Sequence, residues 1–596
     1  MTDSQIYEDV SRALKRSRAV FIAVEAVCAL IVFFYWKIQI LDHRKYWAMS
    51  EANRTRDVIL PAPRAVITDR GGQVILADNV AAFKASVIRE NTKNLEESYQ
   101  RIGQMLGLDP EVVRGRVEKY RTMPLFKPIV VKDNLSLEDV ARIEVRKMEF
   151  PELVIETEPK RFYPFGALAA HLIGYLQELT PDELRTTFKD RRLGDMVGRT
   201  GVESTYESRI AGVDGKLVEI VDSQGRKRSE TDRVDPRQSP KLALALDYDL
   251  QAKAEQLLAG REGTVVVLDP RTGGLLVLAS SPTFDPNKFI NRFTPEEWTA
   301  LAANPDHPLI NRATQGLYSP GSIFKLVMSA GALGSGTIVP QTLFTCNGEI
   351  EIYGRAFHCL SAHGTLNFYD AIRYSCNIYF YSLGRRMGID AIADYAGRMG
   401  LGQKTGIEIS NESEGTVPST EWKQRTQKAP WYPGETISVA IGQGALQVTP
   451  IQVATMTALI ANRGTRVRPH LLADAPARTE FTDIPSSVFE DIAEGMWRSA
   501  NREGTGHAAR VEGFDVCSKT GSTETVSRET SERLGIQRKT HAWFTGFAPR
   551  NRPEVVVTVL VEFGGRGGEI AAPIAREIFS LYKAKYHDRQ APSSRN

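Results

Sequence analysis

Three short clusters of residues have types and spacings that could do chemistry together. Ser322-Ile323-Phe324-Lys325 opens an apolar helical run, Ile323 to Leu333, just after Pro320-Gly321. On a helix, residues i and i+3 share a face, so the lysine ammonium can reach the serine hydroxyl. Ile323, Phe324, Leu326, Val327 and Met328 surround that lysine with apolar groups, and desolvation lowers a lysine pKa until the neutral amine can act as a base. A serine hydroxyl is inert without such a base. S-x-x-K by itself arises about twice by chance in a chain of this length, and alone it reads as a surface lysine. Ser375-Cys376-Asn377 then offers a hydroxyl and an amide on one turn of the helical pattern YDAIRYSCNIYFYSLGRRMG. Lys519-Thr520-Gly521-Ser522-Thr523 follows the short extended run Phe514 to Cys517. There the glycine permits close approach to a strand edge, while the lysine and hydroxyls present an anion site. A second K-T-G, Lys404-Thr405-Gly406, has no Ser or Thr after its glycine and reads as a structural turn.

A fourth cluster points to metal. Cys346, His358, Cys359, His363 and Cys376 fall in one short stretch, where composition alone predicts about 0.7 cysteines and histidines. The spacing Cys346-x12-Cys359-x3-His363-x12-Cys376 supplies three thiolates and an imidazole, which suits tetrahedral zinc. In an exported domain Cys346 and Cys359 can instead pair as a disulfide, leaving Cys376 buried. Cys28 and Cys517 read as small buried hydrophobes, the first of them within a membrane.

The elements that must position these groups sit behind a membrane anchor. Ala19 to Leu41 is apolar apart from Glu25, Lys37 and Gln39, and about 20 such residues span a bilayer core. Arg12, Lys15, Arg16 and Arg18 precede it, which places a short tail (1–18) in the cytoplasm and the bulk of the chain outside. No small-residue cleavage site follows the span. Glu25 near mid-bilayer hints at a polytopic partner helix. Residues 42–60 read as a helical continuation ended by Pro61 and Pro63, and Pro63–Asn79 as a hairpin turning at Asp69-Arg70-Gly71-Gly72. The polar stretch Asp222–Lys241 marks a boundary, giving 42–240 as one domain and 241–587 as another, with 588–596 as a disordered tail. In the second domain, strands at both ends enclose a helix-rich middle, which predicts an α+β fold on one sheet with strands from distant sequence. Hydrophobic residues at 42% and charged residues at 25% exclude a disordered chain or a fibre. A net charge of +3 argues against nucleic acid as a partner, and five cysteines are too few for a disulfide scaffold.

The order S-x-x-K, S-x-N, K-T-G resembles the motif set of the class B penicillin-binding proteins. The resemblance extends through PRAVITDRGG, GRTGVE (Gly198–Glu203), Leu268–Asn287, Asn311–Lys325 and Ile441–Ala454, and Phe293–Gly316 is more similar to the elongation branch than to the division branch. It implies a membrane helix, an elongated mixed α/β pedestal, and a transpeptidase domain whose central antiparallel sheet is flanked by helices. It also implies that Ser322 attacks the penultimate D-alanine carbonyl of a peptidoglycan stem, with Lys325 as base and Ser375 relaying a proton to the leaving amine. Lys519 would shape the field, Asn377 orient the donor amide, and Thr520, Gly521, Ser522 and Thr523 form the carboxylate site. The backbone N–H groups of Ser322 and Ser522 would make the oxyanion hole. Ser522 before Thr523 departs from the commonest last motif and leaves open which hydroxyl holds the carboxylate. No cofactor is implied for the chemistry, while Cys346, Cys359, His363 and Cys376 look like counterparts of a structural zinc site found in some members. The implied partners are stem peptides on lipid-linked glycan strands, β-lactam antibiotics, a polytopic glycosyltransferase of the shape, elongation, division and sporulation family, and other elongation-complex proteins. A division-specific role, or a regulatory scaffold for the glycosyltransferase, are the rival readings.

Overall fold

The computed structural model describes residues 3–92, 94–188, 191–192, 194–222, 227–290, 293–524 and 539–590. Its first helix, α1 (Asp3–Trp36), runs on through a five-residue π turn, Lys37–Leu41. Among the described residues nothing covers the apolar segment Val10–Leu41, and it is long and apolar enough to cross a membrane. Cys28 accordingly lies on its outer surface rather than in a protein core.

The chain beyond divides into two compact units that do not follow a single cut at residue 240. The smaller holds residues 1–63, 80–160 and 212–238, and the larger holds 64–79, 161–211 and 239–596. In the smaller unit the expected helix over 42–60 stops at Arg54, and Thr55–Leu60 is a strand paired antiparallel with Gly215–Val221. The β-branched Thr55, Val58 and Ile59 favour the strand, and Arg56 pairs across it with Glu219 at 2.7 Å. Helices Leu95–Leu106 and Pro110–Lys119 pack their apolar stripes on a core that includes Val87, Ile102, Val117 and Val131.

The larger unit is built on a five-stranded antiparallel sheet. Its strands are β1 (Gly263–Leu268), β2 (Leu275–Ser281), β3 (Cys517–Glu524), β4 (Thr540–Ala548) and β5 (Val555–Val561), in the order β2-β1-β5-β4-β3. The hairpin expected at Asp269–Gly274 joins β1 to β2. Both faces are covered, which is why β1 and β5 read as unbroken apolar runs rather than alternating ones. Val266, Leu268, Trp543 and Leu560 belong to one core with a buried helix Pro450–Ala461, while Val265, Val267, Phe544 and Val559 belong to another with helix Ala571–Tyr582. Two blocks singled out in the sequence, at Arg64 and at Glu203, meet in this unit. The fully buried Glu203 carboxylate takes Arg64 Nη2 at 2.8 Å, Arg161 Nε at 2.6 Å and the Tyr163 hydroxyl at 3.2 Å. At the C-terminal end, His587 Nδ1 pairs with Glu554 and Asp588–Gln590 are helical, so these three residues do not belong to a disordered tail, while residues 591–596 lie outside those described.

Glu203→Ala strands two buried guanidinium groups, and losing one partner of a buried pair costs about 3–5 kcal/mol. Thermal unfolding of the detergent-solubilised chain is expected to show a clearly lowered transition, and an unmoved one would refute the role given to this cluster.

Candidate active site

Ser322 lies on a single 3₁₀ turn, Gly321–Phe324, and Lys325 is the first residue of the α-helix that follows, Lys325–Gly334. The expected single helix is thus tightened at its start, where i and i+3 side chains eclipse one another. Gly321 has φ +53°, and its N–H donates to Gly442 O at 2.9 Å. The approach is so close that a Cβ on Gly442 (φ +77°) would sit 2.0 Å from Gly321 O. Just upstream, Ser319 O accepts from Thr523 Oγ1 at 3.0 Å and from the buried Trp543 Nε1 at 3.1 Å. The Tyr318 backbone pairs with Val448, and its hydroxyl donates to Glu562, which also takes Arg312 Nε. Four separate segments therefore hold the turn that carries Ser322, and Ser322 Oγ makes no hydrogen bond among the described residues.

Lys325 is fully buried and its Nζ donates to Ser375 O at 2.6 Å, Ser375 Oγ at 3.2 Å and Asn377 Oδ1 at 2.7 Å. Lys519, equally buried, donates to the same Ser375 Oγ at 2.9 Å and to Thr520 O at 2.8 Å. Ser375 can bridge them because it occupies the corner between helices Phe368–Arg373 and Asn377–Met387, with φ +55°, a conformation a serine adopts only when its surroundings impose it. Two ammonium groups on one hydroxyl in a dry site cannot both stay charged. Burial drives Lys519 well below the usual lysine range, and the neighbouring Lys325 drives it further. Burial also lowers Lys325, to about 8, against the opposing pull of Cys359 and Cys376. Of the two, Lys519 is therefore the one driven harder toward the neutral amine.

Strand alternation separates the last motif. Lys519, Gly521 and Thr523 share one face, and a Cβ on Gly521 would meet Pro320 O at 3.0 Å, the close approach expected of that glycine. Thr523 is buried and spends its hydroxyl on Ser319 O, whereas Ser522 is exposed and Thr520 is buried. The other K-T-G is a loop brace, with Thr405 N–H and Oγ1 donating to Glu412 at 2.7 and 2.5 Å.

The ligand atoms of Cys346, Cys359, His363 and Cys376 all lie within 4.8 Å of one another, and no disulfide joins these cysteines. His363 Nδ1 stands 3.4 Å from Cys346 Sγ and 3.5 Å from Cys359 Sγ, and Cys359 Sγ stands 4.0 Å from Cys376 Sγ. Ligand separations of this size match a tetrahedron with metal–sulfur bonds near 2.3 Å, and His363 Nε2 has an outer partner in Ser361 Oγ at 3.0 Å. The donor set fits zinc. His358 stays outside the cluster, paired with Glu349. The cluster reaches the motif residues directly: Asn377 N–H donates to Cys359 Sγ at 3.2 Å, and Asn377 Nδ2 donates to the neighbouring His358 O at 3.2 Å.

The motif residues Lys325, Ser375, Asn377 and Lys519 thus meet by direct bonds. Tyr318, Gly442, Trp543 and Glu562 were not foreseen as site residues. The first two lie inside blocks that carried the resemblance, which was their only signal.

Two family models match the chain, one described as the penicillin binding protein transpeptidase domain over residues 263–580, the other as the penicillin-binding protein dimerisation domain over residues 59–244. A peptidoglycan D,D-transpeptidase MrdA of Acinetobacter baumannii is 35% identical over 593 residues, covering 96% of this chain and 88% of that protein. Among solved structures, a complex between penicillin-binding protein PBP2 and MreC from Helicobacter pylori aligns with a TM-score of 0.81 at 27% identity, covering 89% of this chain and 99% of that one. A chain from a peptidoglycan synthase complex that coordinates polymerization and crosslinking aligns with a TM-score of 0.71 at 28% identity, covering 96% and 98%.

Replacing Gly442 by alanine must push the Ser322 turn aside, and a shift of about 1 Å in a reacting group can cost on the order of 10²-fold in rate. The Gly442→Ala chain is expected to stay folded by thermal unfolding while its acylation by a fluorescent penicillin slows by that order. Wild-type acylation would show that the turn has slack.

Proposed function

This chain belongs to the class B penicillin-binding proteins, and from that premise we propose that Ser322 is the nucleophile with which it crosslinks peptidoglycan stems through an acyl-enzyme. Its activity is that of a peptidoglycan D,D-transpeptidase of cell-wall elongation, which sets aside the division-specific reading. One observation carries the assignment of roles: the buried hydrogen-bonded line Lys325–Ser375–Lys519, with Asn377 beside it.

Ser322 Oγ attacks the carbonyl of the penultimate D-alanine, and its proton passes to the neutral fraction of Lys325. The tetrahedral oxyanion is met by the backbone N–H groups of Ser322 and Ser522, each such donor contributing roughly 3–4 kcal/mol to the transition state. As the C–N bond breaks, Ser375 hands a proton to the departing amine of the terminal D-alanine and is resupplied from Lys325, while Lys519 holds Ser375 in place. An amine of a neighbouring stem then attacks the ester, returns its proton through the same groups and frees Ser322. Water in place of that amine gives the residual carboxypeptidase reaction. Ser522 is the hydroxyl we assign to the donor carboxylate, since Thr523 is engaged with Ser319. A β-lactam, which presents a strained amide in place of the donor, acylates Ser322.

One zinc ion held by Cys346, Cys359, His363 and Cys376 supplies a structural crosslink when bound, tying the loop of Cys359 to the helix that begins at Asn377. The basic residues Arg12 to Arg18 hold the N-terminus in the cytoplasm and leave the two folded units outside the inner membrane. A polytopic glycosyltransferase and other elongation proteins are the partners we assign, supported by the complexes in which the related chains were solved.

Labelling with fluorescent penicillin is expected to vanish in Ser322→Ala and to fall by about 10²–10⁴-fold in rate in Lys325→Ala. A folded wild-type chain that forms no adduct would sink the reading. The free-enzyme acylation rate should rise with pH through about 8, because only neutral Lys325 accepts the serine proton and its pKa lies there. A profile flat between pH 6 and 9 would remove Lys325 as base. Metal analysis of the purified chain should find about one zinc per molecule, lost in Cys359→Ser together with a drop in Tm. A full-length wild type free of metal, with unchanged Tm on chelation, would exclude the crosslink.

A further inference from the structure

Ser522 Oγ accepts the N–H of Gly567 at 3.1 Å. With that lone pair engaged, the hydroxyl proton remains to be donated, and among the described residues it has no acceptor. A serine held in this way at an exposed strand edge is a donor in search of an anion. The segment that holds it reads Phe563-Gly564-Gly565-Arg566-Gly567-Gly568. It lies directly on the sheet, since a Cβ at Gly567 would meet Gly521 O at 2.3 Å and Trp543 O at 2.2 Å. Gly565 (φ +91°) donates to Thr540 O at 2.9 Å, and Arg566 O takes the N–H groups of Glu569 and Ile570 at 3.1 and 3.0 Å. The backbone of Arg566 is therefore fixed one residue from the group that orients Ser522.

Its side chain is not fixed. The guanidinium is 77% exposed, and among the described residues it pairs only with Glu569, itself 67% exposed, at 3.4 Å. An exposed pair with that geometry contributes little and leaves the arginine available. Among the described residues no other cation serves this edge in the same way. Lys519 is fully buried and turned toward Ser375 and Thr520 O, and Lys539 Nζ lies 4.8 Å over the Phe563 ring. Adjacent Cα atoms are about 3.8 Å apart, so an arginine side chain beside Gly567 can sweep the space in front of the Ser522 hydroxyl. A planar guanidinium and a single hydroxyl donor together suit a carboxylate.

We propose that Arg566 is a specificity-determining residue of this site, recognising with Ser522 the free carboxylate of the donor's terminal residue. The guanidinium supplies the charge and the hydroxyl the directional bond. The proposal rests on the reading of Ser322 as the acylated nucleophile. It makes Arg566 a binding group with no part in proton transfer.

The test compares full-length wild type with Arg566→Ala, Arg566→Gln and Arg566→Lys. The second-order acylation rate is measured for a penicillin with a free carboxylate and for its methyl ester. Losing a charge-assisted bond should slow the acid by roughly ten- to hundredfold in Arg566→Ala and Arg566→Gln. The ester rate should not change, so that the acid-to-ester ratio falls by the same factor. Arg566→Lys should keep part of the ratio, because it keeps the charge and loses the fork. Equal slowing of acid and ester would show a merely structural role and overturn the proposal, as would an unchanged ratio. If wild type acylates with both compounds and only the ratio fails to respond, the nucleophile assignment stands and this inference alone falls. If wild type forms no adduct with either, both fall.

Discussion

The site depends on one hydroxyl standing between two buried amines. Ser375 Oγ is 3.2 Å from Lys325 Nζ and 2.9 Å from Lys519 Nζ, and both lysines are wholly removed from solvent. Burial alone penalises each ammonium, and their proximity penalises the second more than the first. The structure resolves this by giving the remaining proton three acceptors around Lys325, namely Ser375 O, Ser375 Oγ and Asn377 Oδ1. The result is an amine whose pKa is brought down to about 8, with a serine hydroxyl next to it that can carry a proton in either direction.

Keeping the arrangement requires that three segments distant in sequence arrive with little freedom. The Ser322 turn is held by Gly442, Thr523 and Trp543, and indirectly through Tyr318 by Glu562. Ser375 is held at positive φ by the two helices it joins, and Asn377 is held from its far side by Cys359 Sγ and His358 O. Lys519 comes from the edge strand of a sheet whose inner strands are covered on both faces. A cysteine–histidine cluster beside Asn377 thus belongs to the same mechanical scheme: it fixes the back of the residue whose front holds Lys325.

Much of this was legible in the sequence where function is carried by a short run of residues. The S-x-x-K, S-x-N and K-T-G motifs, the cysteine–histidine spacing, the apolar N-terminal segment and the β1–β2 hairpin are all local signals. The structure brings Lys325, Ser375, Asn377 and Lys519 together, but sets Ser322 on a 3₁₀ turn and Ser375 at a corner between helices rather than within one. The strand at Thr55–Leu60 was hidden because it follows an amphipathic helix without a break, and its partner, Gly215–Val221, lies far along the chain. The division into units was hidden for the same reason. Residues 64–79 and 161–211 precede the polar stretch that looks like a boundary, yet Arg64, Arg161 and Glu203 bind one another within the larger unit. Tyr318, Trp543 and Glu562 act through pairings across the fold that no local pattern announces.

The two hydroxyls at the end of the last motif show how far such reading can go. Ser522 and Thr523 are chemically similar neighbours, and nothing in their order says which one meets a substrate. In a strand they must face opposite ways, so only one can point inward with Lys519 and Gly521. That one is Thr523, buried under the nucleophile turn and bonded to Ser319 O; Ser522 is left at the surface with its lone pair filled by Gly567. The placement of the two hydroxyls follows from parity and from the glycine that lets residue 567 lie on the sheet, because any side chain there would collide with Gly521 and Trp543. The same glycine-rich segment that holds the Ser522 hydroxyl fixes the backbone of Arg566 one residue away. The pleat of one strand thus divides its two hydroxyls, Thr523 supporting the turn above it and Ser522 left at the exposed edge.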